Sequence, residues 1–146
     1  MQVDFYHLGA APIERVLPRI AERVMTSGAR LLVMGEDEAF LEKLERDLWG
    51  YAPDAFLPHG RVGTGGEAHQ PVLLSTTLDP VNGARNVALV DGTWRAAALD
   101  YDRAFHFFDD ESVEAARAAW RSLNDAEGVE RRFWRQDPDG RWTRMA

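Results

Sequence analysis

Short apolar runs alternate with longer amphipathic segments through the first half of the chain. Residues 3–8 are rich in strand formers, and the apolar residues of segment 13–24 recur every three or four positions, as on one face of a helix. A second apolar run at 30–35 precedes another amphipathic segment, which Asp37 is placed to cap. This order of strand, helix, strand and helix is typical of a doubly wound α/β domain.

The second half of the chain continues in the same way. Apolar runs predict three further strands at 71–76, 86–91 and 103–109, and a helical stripe predicts a last helix that starts at Asp109 or Asp110. Neither an internal repeat nor a low-complexity segment interrupts the pattern. These elements extend the α/β alternation and add strands to the same predicted sheet.

A tight-turn sequence, Asp-Pro-Asp-Gly, lies near the C-terminus. Proline in its second position and glycine in its fourth favour a type I turn with a glycine bulge. This closure pairs Asp137 with Arg141 and places Trp134 and Trp142 on the same face of a hairpin. Residues 1–146 are therefore predicted to form a single α/β domain, with a Rossmann-like, mostly parallel sheet flanked by helices and a C-terminal β-hairpin.

Composition excludes several classes of protein. The chain has no cysteine, which rules out disulfides, cysteine-ligated zinc, iron–sulfur clusters and thiol nucleophiles. The N-terminus lacks the pattern of a signal peptide, and no stretch approaches the ~18 apolar residues of a membrane span, so we expect a cytoplasmic protein without a membrane partner. The net charge is −7, and basic residues exceed acidic ones only in segment 117–146. This balance argues against strong direct DNA binding and suits an acidic peptide.

No catalytic constellation assembles from the sequence. The histidines, His7, His59, His69 and His106, show no metal-ligand spacing, and no nucleophile elbow is present. The glycine run 60–66 lacks the Lys-Ser/Thr of a phosphate loop, which favours a flexible connection over phosphate binding. We therefore expect no metal, no cofactor and no enzymatic activity.

Two constellations remain as candidate binding sites. The first is an apolar loop that contains Trp49, Phe56, Leu57, Pro58 and His59. Its side chains either pack beneath the loop and complete the core, or form a protein-docking surface, because aromatic residues on a rigid loop make good anchors.

The second constellation lies on the last predicted helix. Arg117 and Arg121 are four residues apart on one face and flank Trp120, while Trp134 and Trp142 of the hairpin are further aromatic candidates. One interpretation is a solvated arginine face over a core tryptophan. The other is an aromatic pocket rimmed by guanidinium groups, which suits an acidic peptide with a terminal aromatic residue and a free carboxylate.

Several short sequence motifs in and around the loop occur in the same order as in a known protein family. The letters LW stand at 48–49, FLPH at 56–59, a glycine-rich run at 63–66 and PV at 71–72. In this order they resemble the chi (χ) subunit of bacterial DNA polymerase III holoenzyme, and the order of elements continues to resemble that family to the C-terminus.

The resemblance implies a function for both constellations. The loop is similar to the face of χ that meets the psi (ψ) subunit of the clamp loader, and a repair helicase could use the same face. The Arg117-x-x-Trp120-Arg121 pattern is similar to the site that binds the acidic tail of single-stranded-DNA-binding protein (SSB), and Arg132, Arg135 or Arg144 could add to its basic rim. The implied function is a non-catalytic replisome adaptor. The alternative from the residues is a small Rossmann-like enzyme or nucleotide-binding protein without the usual glycine fingerprint.

Overall fold

The computed structural model describes residues 1–50, 59–61, 63 and 65–146, and it leaves the side chains of Trp49 and His59 undescribed. The strands are Gln2–His7 (β1), Leu31–Met34 (β2), His59–Arg61 (β3), Val72–Ser75 (β4), Asn86–Leu89 (β5), Arg103–Phe108 (β6), Glu130–Gln136 (β7) and Trp142–Arg144 (β8). The α-helices are Ile13–Thr26 (α1), Glu38–Trp49 (α2) and Val113–Ser122 (α3).

These strands form one eight-stranded sheet in the order β3-β4-β2-β5-β6-β1-β7-β8. Every neighbouring pair is parallel except β7 and β8, which form the antiparallel C-terminal hairpin. The predicted fold class is therefore confirmed. The predictions did not include β3, a three-residue His-Gly-Arg strand that pairs with β4. Its sequence carries no alternating apolar pattern, so only pairing with a neighbour defines it.

Helix starts follow local capping chemistry. The Asp37 side chain accepts a hydrogen bond from the backbone N–H of Ala39 at 2.9 Å and so caps α2 as predicted. Asp109 accepts from the backbone N–H groups of Glu111 and Ser112, and the Ser112 hydroxyl accepts from the Asp109 N–H in return. The last predicted helix thus begins as a short 3-10 turn, Asp110–Ser112, before α3.

The sheet separates two apolar clusters. Tyr6, Phe105 and Phe107 pack with the buried residues of α1 and α2, on what we call the α1 face. Phe5 and Phe108 lie on the opposite side with the buried residues of α3, on the α3 face. Successive residues of a strand point to opposite faces of the sheet. Residues an even number of positions apart in one strand therefore lie on the same face, and we say that they have the same parity.

Candidate arginine–aromatic surfaces

Helix α3 presents Trp120 to the sheet. Ala116, Ala119 and Leu123 are buried against the α3 face, which brings the helix close to the strands. The Trp120 ring is partly buried and lies edge-on to Phe5 and Phe133, with centroid distances of 5.4 and 5.6 Å. Trp120 is therefore largely a packing residue, in agreement with the simpler of its two interpretations.

Arg131 is the main polar partner of Trp120. Its guanidinium lies 4.2 Å from the centroid of the Trp120 ring, within the range of a cation–π contact. The same group donates hydrogen bonds to the Trp120 carbonyl and to the Asn124 side chain, near the end of α3. Sequence analysis missed this residue, because nothing local indicates that β7 lies beside the end of α3.

Arg117 and Arg121 lie on the exposed side of α3. Arg117 donates to Glu114 at 2.9 Å, and the two side chains are 57% and 77% exposed, so water screens the pair. Arg121 is exposed one turn farther along the same face. These arginines therefore present solvent-exposed cations on the helix that carries Trp120.

Trp134 and Trp142 lie on the other side of the sheet. The Trp134 ring stacks with Tyr6 at 6.4 Å, and the Trp142 ring meets Tyr6 edge-on at 5.1 Å, on the α1 face. The prediction that both tryptophans share one face of the hairpin is confirmed by the pairing of Gln136 with Trp142. The prediction of a single pocket that joins these two tryptophans to Trp120 is wrong. Their side chains lie on the α1 face, so the sheet separates them from α3.

The hairpin arginines divide by the same rule. Arg135 lines a groove of about 620 Å³ with Thr143 and with Met145, whose exposure is 57%. Arg135 has the parity of Arg131 and therefore lies on the α3 face. Arg132 has the parity of Trp134 and lies on the α1 face, where it donates to Glu130 at 3.1 Å.

The candidate docking loop lies mostly outside the described residues. This holds for Phe56, Leu57 and Pro58, and for the side chains of Trp49 and His59. The backbone of His59 begins β3, an edge strand of the sheet.

A cleft of about 950 Å³ lies at the carboxyl ends of the strands, where Rossmann-like proteins bind nucleotides. Its lining is strongly acidic, with Glu14, Asp37, Asp91, Asp109 and Asp110 among the residues. Such a lining repels phosphate groups and so disfavours the nucleotide-binding alternative.

Two absences hold for the part of the chain that the structure describes. No group of three or more His, Asp or Glu side chains there is arranged to hold a metal ion. No helix there is both long and apolar enough to cross a membrane.

The mostly parallel sheet, its C-terminal hairpin and the arginine–aromatic cluster on the α3 face define a small α/β protein with exposed arginines on a chain of net negative charge. The chain belongs to the family of DNA polymerase III chi subunits: the family model described as "DNA polymerase III chi subunit, HolC" matches residues 1–131. It is therefore a DNA polymerase III subunit that acts in DNA replication. As a subunit of the holoenzyme, it has protein partners within that assembly. The match ends within β7.

Curated relatives agree with the family. A probable DNA polymerase III subunit chi of Rickettsia prowazekii (strain Madrid E) is 23% identical over 152 residues, which cover 99% of this chain and 92% of that protein. The DNA polymerase III subunit chi of Escherichia coli (strain K12) is 27% identical over 97 residues, or 66% of this chain and 64% of that protein.

Among solved structures, the C-terminal domain of Saccharomyces cerevisiae Dbp5 has 12% identity and a TM-score of 0.47 over 88% of each chain.

Proposed function

We propose that this chain is a non-catalytic adaptor of the replisome, which links the clamp loader, through ψ, to the C-terminal tail of SSB. Membership of the chi family supports a role in the holoenzyme. An adaptor with two separate contacts raises the effective concentration of one partner near the other, without chemistry of its own. The setting of this function would be the cytoplasm, where the polymerase meets coated single-stranded template.

For the SSB tail, the observation that carries the proposal is the exposed pair Arg117 and Arg121 beside Trp120. A carboxylate accepts charge-assisted hydrogen bonds from guanidinium groups, and an acidic peptide gains from several cations along its path. Arg131 holds the tryptophan in place, and Arg135 extends the basic residues of the α3 face along β7. We therefore assign the tail to the α3 face and leave Trp134 and Trp142 out of that site.

The tail assignment is tested by fluorescence anisotropy with a labelled SSB C-terminal peptide. We expect the wild type to bind, and Arg117→Ala or Arg121→Ala to lose about 1.5–3 kcal/mol of binding free energy, the scale of a charge-assisted hydrogen bond. Removing the terminal phenylalanine of the peptide should abolish binding. Trp142→Phe, a change on the α1 face, is the matched control and should leave affinity unchanged.

Two results would contradict parts of this proposal. If both arginine variants bind normally and the Trp142 variant does not, the site lies on the α1 face and the function is retained. If the wild type does not bind at low salt and high protein concentration, the SSB half of the function is wrong.

For ψ, the candidate surface is the loop that contains Trp49 and residues 56–59. The resemblance of its FLPH sequence to the family motif supports this assignment, and the adjoining edge strand β3 would give the loop a fixed base. Phe56→Ala and Leu57→Ala should each weaken co-purification with ψ, whereas Arg117→Ala should not. Equal binding by all variants would place the ψ contact elsewhere. A repair helicase that uses the same loop should compete with ψ.

The alternative function, a small enzyme or nucleotide-binding protein, is tested by thermal shift. A ligand at 100 times its dissociation constant should stabilise the native state by about 2.7 kcal/mol. The acidic cleft at the carboxyl ends of the strands leads us to expect no shift with nucleotides, with or without divalent ions. A reproducible shift would favour this alternative over the adaptor.

A further inference from the structure

A second basic site lies on the α1 face, far from the acidic cleft. It is a cavity of about 190 Å³ between the last turns of α1 and the amino ends of β5 and β6. Arg23 and Ser27 of the α1 end, Asn86 and Arg103 of the first strand positions, and the Tyr6 ring contribute to its lining. Its volume is several times the ~30 Å³ that one water molecule occupies in the liquid, so it has room for a small polyatomic ion.

Arg103 is a fixed cation at this cavity. Its Nε and Nη2 atoms donate to Oδ2 of Asp4 at 3.0 and 2.9 Å, and its guanidinium lies 4.5 Å from the centroid of the Phe105 ring. Asp4 is itself held by the Trp134 Nε1 atom and the Gln2 amide, at 3.1 and 2.9 Å. Two of the five N–H donors of Arg103 are used for orientation by Asp4, the guanidinium also hydrogen-bonds the Tyr6 hydroxyl, and the remaining donors stay available to a ligand.

Tyr6 adds a neutral donor. Burial is the main reason that the pKa of Tyr6 is raised to about 12, and Asp4 raises it further. The guanidinium groups of Arg103 and Arg23, which line the same cavity as Tyr6, lower that pKa by smaller amounts. The hydroxyl therefore keeps its proton at any ordinary pH and can donate it to an anion.

Arg23 gives the cavity lining a net positive charge. Arg103 is balanced by Asp4, whereas Arg23 makes no ion pair within the described part of the chain, so the lining has one uncompensated positive charge. The carbonyl of Val24, in the last turn of α1, accepts hydrogen bonds from the Ser27 hydroxyl and the Ala29 N–H at 2.6 and 3.2 Å. That carbonyl is thus occupied and does not compete with an anion for the arginines.

We propose that this cavity binds a phosphate group, held by Arg23, Arg103 and the Tyr6 hydroxyl. The three donors come from a helix and two different strands, so they approach the cavity from different directions. A tetrahedral phosphate presents oxygens in several directions at once, whereas a planar carboxylate matches a single guanidinium fork. The site is separate from both surfaces of the proposed adaptor and does not depend on that function.

The test is an NMR titration of ¹⁵N-labelled protein with inorganic phosphate, at constant ionic strength maintained with chloride. We expect shifts confined to the amides that surround the cavity, including Arg23, Ser27, Ala29 and Asn86. Arg23→Gln should weaken the fitted affinity about tenfold or more, which corresponds to the loss of one charge-assisted contact. Tyr6→Phe should weaken it by a smaller factor, because a neutral hydrogen bond is lost.

The control variant is Arg19→Gln, which removes an arginine of α1 that lies one turn away and outside this cavity. It should bind phosphate with wild-type affinity. Acetate in place of phosphate should give weaker shifts at the same amides. A 5′-phosphorylated dinucleotide is then compared with its unphosphorylated form, and shifts with the phosphorylated form alone show that a terminal phosphate ester enters the cavity. The proposal is overturned if shifts are spread over all arginines, if Arg19→Gln weakens binding as much as Arg23→Gln, or if acetate binds as tightly as phosphate.

Discussion

Each face of the sheet buries a charged or titratable side chain close to aromatic rings: Asp4 lies on the α1 face and His106 on the α3 face. Asp4 is surrounded by donors and orients Arg103 and Trp134. Among the residues that the structure describes, neither ring nitrogen of His106 has a hydrogen-bond partner, and the ring lies between Phe5 and Trp94, at centroid distances of 5.4 and 5.6 Å.

The two faces therefore hold their arginines in different ways. On the α1 face a buried carboxylate fixes a cation in one orientation, which suits a small ligand of defined shape. On the α3 face the buried histidine is an uncharged packing group, and the cations Arg117 and Arg121 lie outside the core. Exposed and adaptable cations suit an extended acidic peptide.

The largest expected effect is that of Asp4→Ala. This variant leaves the Arg103 guanidinium and the Trp134 N–H without their acceptor, and breaking a buried pair in this way costs about 3–5 kcal/mol. The Arg103 side chain is 40% exposed and can reach water, so we expect the lower end, about 3 kcal/mol of unfolding free energy. Urea denaturation measures it. The control is Asp102→Ala, which breaks the exposed pair with Arg85 and should leave the unfolding free energy unchanged within the error of the measurement.

His106 should make the α3 face acid-sensitive. Burial lowers the pKa of His106 from 6.5 to about 4, with Asp91 raising it and Arg95 lowering it by smaller amounts. The unfolded state therefore binds the proton more tightly, and this contribution is full above pH 6.5 and is lost as the pH falls towards 4. The loss is about 3 kcal/mol at the low end, since one pKa unit corresponds to about 1.4 kcal/mol.

The His106 contribution is measured by comparing denaturation of the wild type and His106→Phe across this pH range. At neutral pH the variant should be as stable or more so, because it removes a buried group without partners. The difference between the two proteins should grow as the pH falls. Parallel curves for the two proteins would show that other groups, such as surface carboxylates, account for the acid sensitivity.

Arg131→Ala should have an intermediate effect on the α3 face. It removes the cation–π contact with Trp120 and the hydrogen bond to the Trp120 carbonyl, which together contribute about 1–2 kcal/mol. Arg135→Ala, an exposed arginine on the same strand and face, should change the unfolding free energy by less than about 0.5 kcal/mol. Equal effects of the two changes would mean that the stacked geometry of Arg131 has no special value.

The smallest effect belongs to Glu114→Gln. Its exposed pair with Arg117 contributes under about 0.5 kcal/mol, so thermal stability should not change measurably. If the α3 face binds the SSB tail, release of Arg117 should strengthen peptide binding about twofold at low salt, and the gain should vanish at high salt. Weaker binding by this variant would indicate that Glu114 orients Arg117 for the peptide.

Local chemistry made much of the fold predictable from the sequence. The spacing of apolar residues distinguished strands from helices, and the capping carboxylate of Asp37 predicted the start of α2. The turn sequence before Arg141 predicted the hairpin and the common face of its two tryptophans. Each of these features depends on residues a few positions apart, and their physics is the same in a short peptide as in the folded protein.

The sites depended on contacts between distant parts of the chain. Arg103 and Asp4 are 99 positions apart, and only the parallel pairing of β1 with β6 brings them together. The same holds for Arg131 beside Trp120. The sequence alone does not show that Trp134 and Trp142 are separated from Trp120. Their positions in β7 and β8 place them on the opposite face of the sheet.

Local sequence patterns were thus enough to predict most of the helices and strands, the cap of α2 and the arginine-rich C-terminal end. Which arginine contacts which ring or carboxylate depended on the folded sheet. The physical reason is that strand order and register arise from the packing of the whole sheet, and a shift of one residue would reverse every side-chain direction.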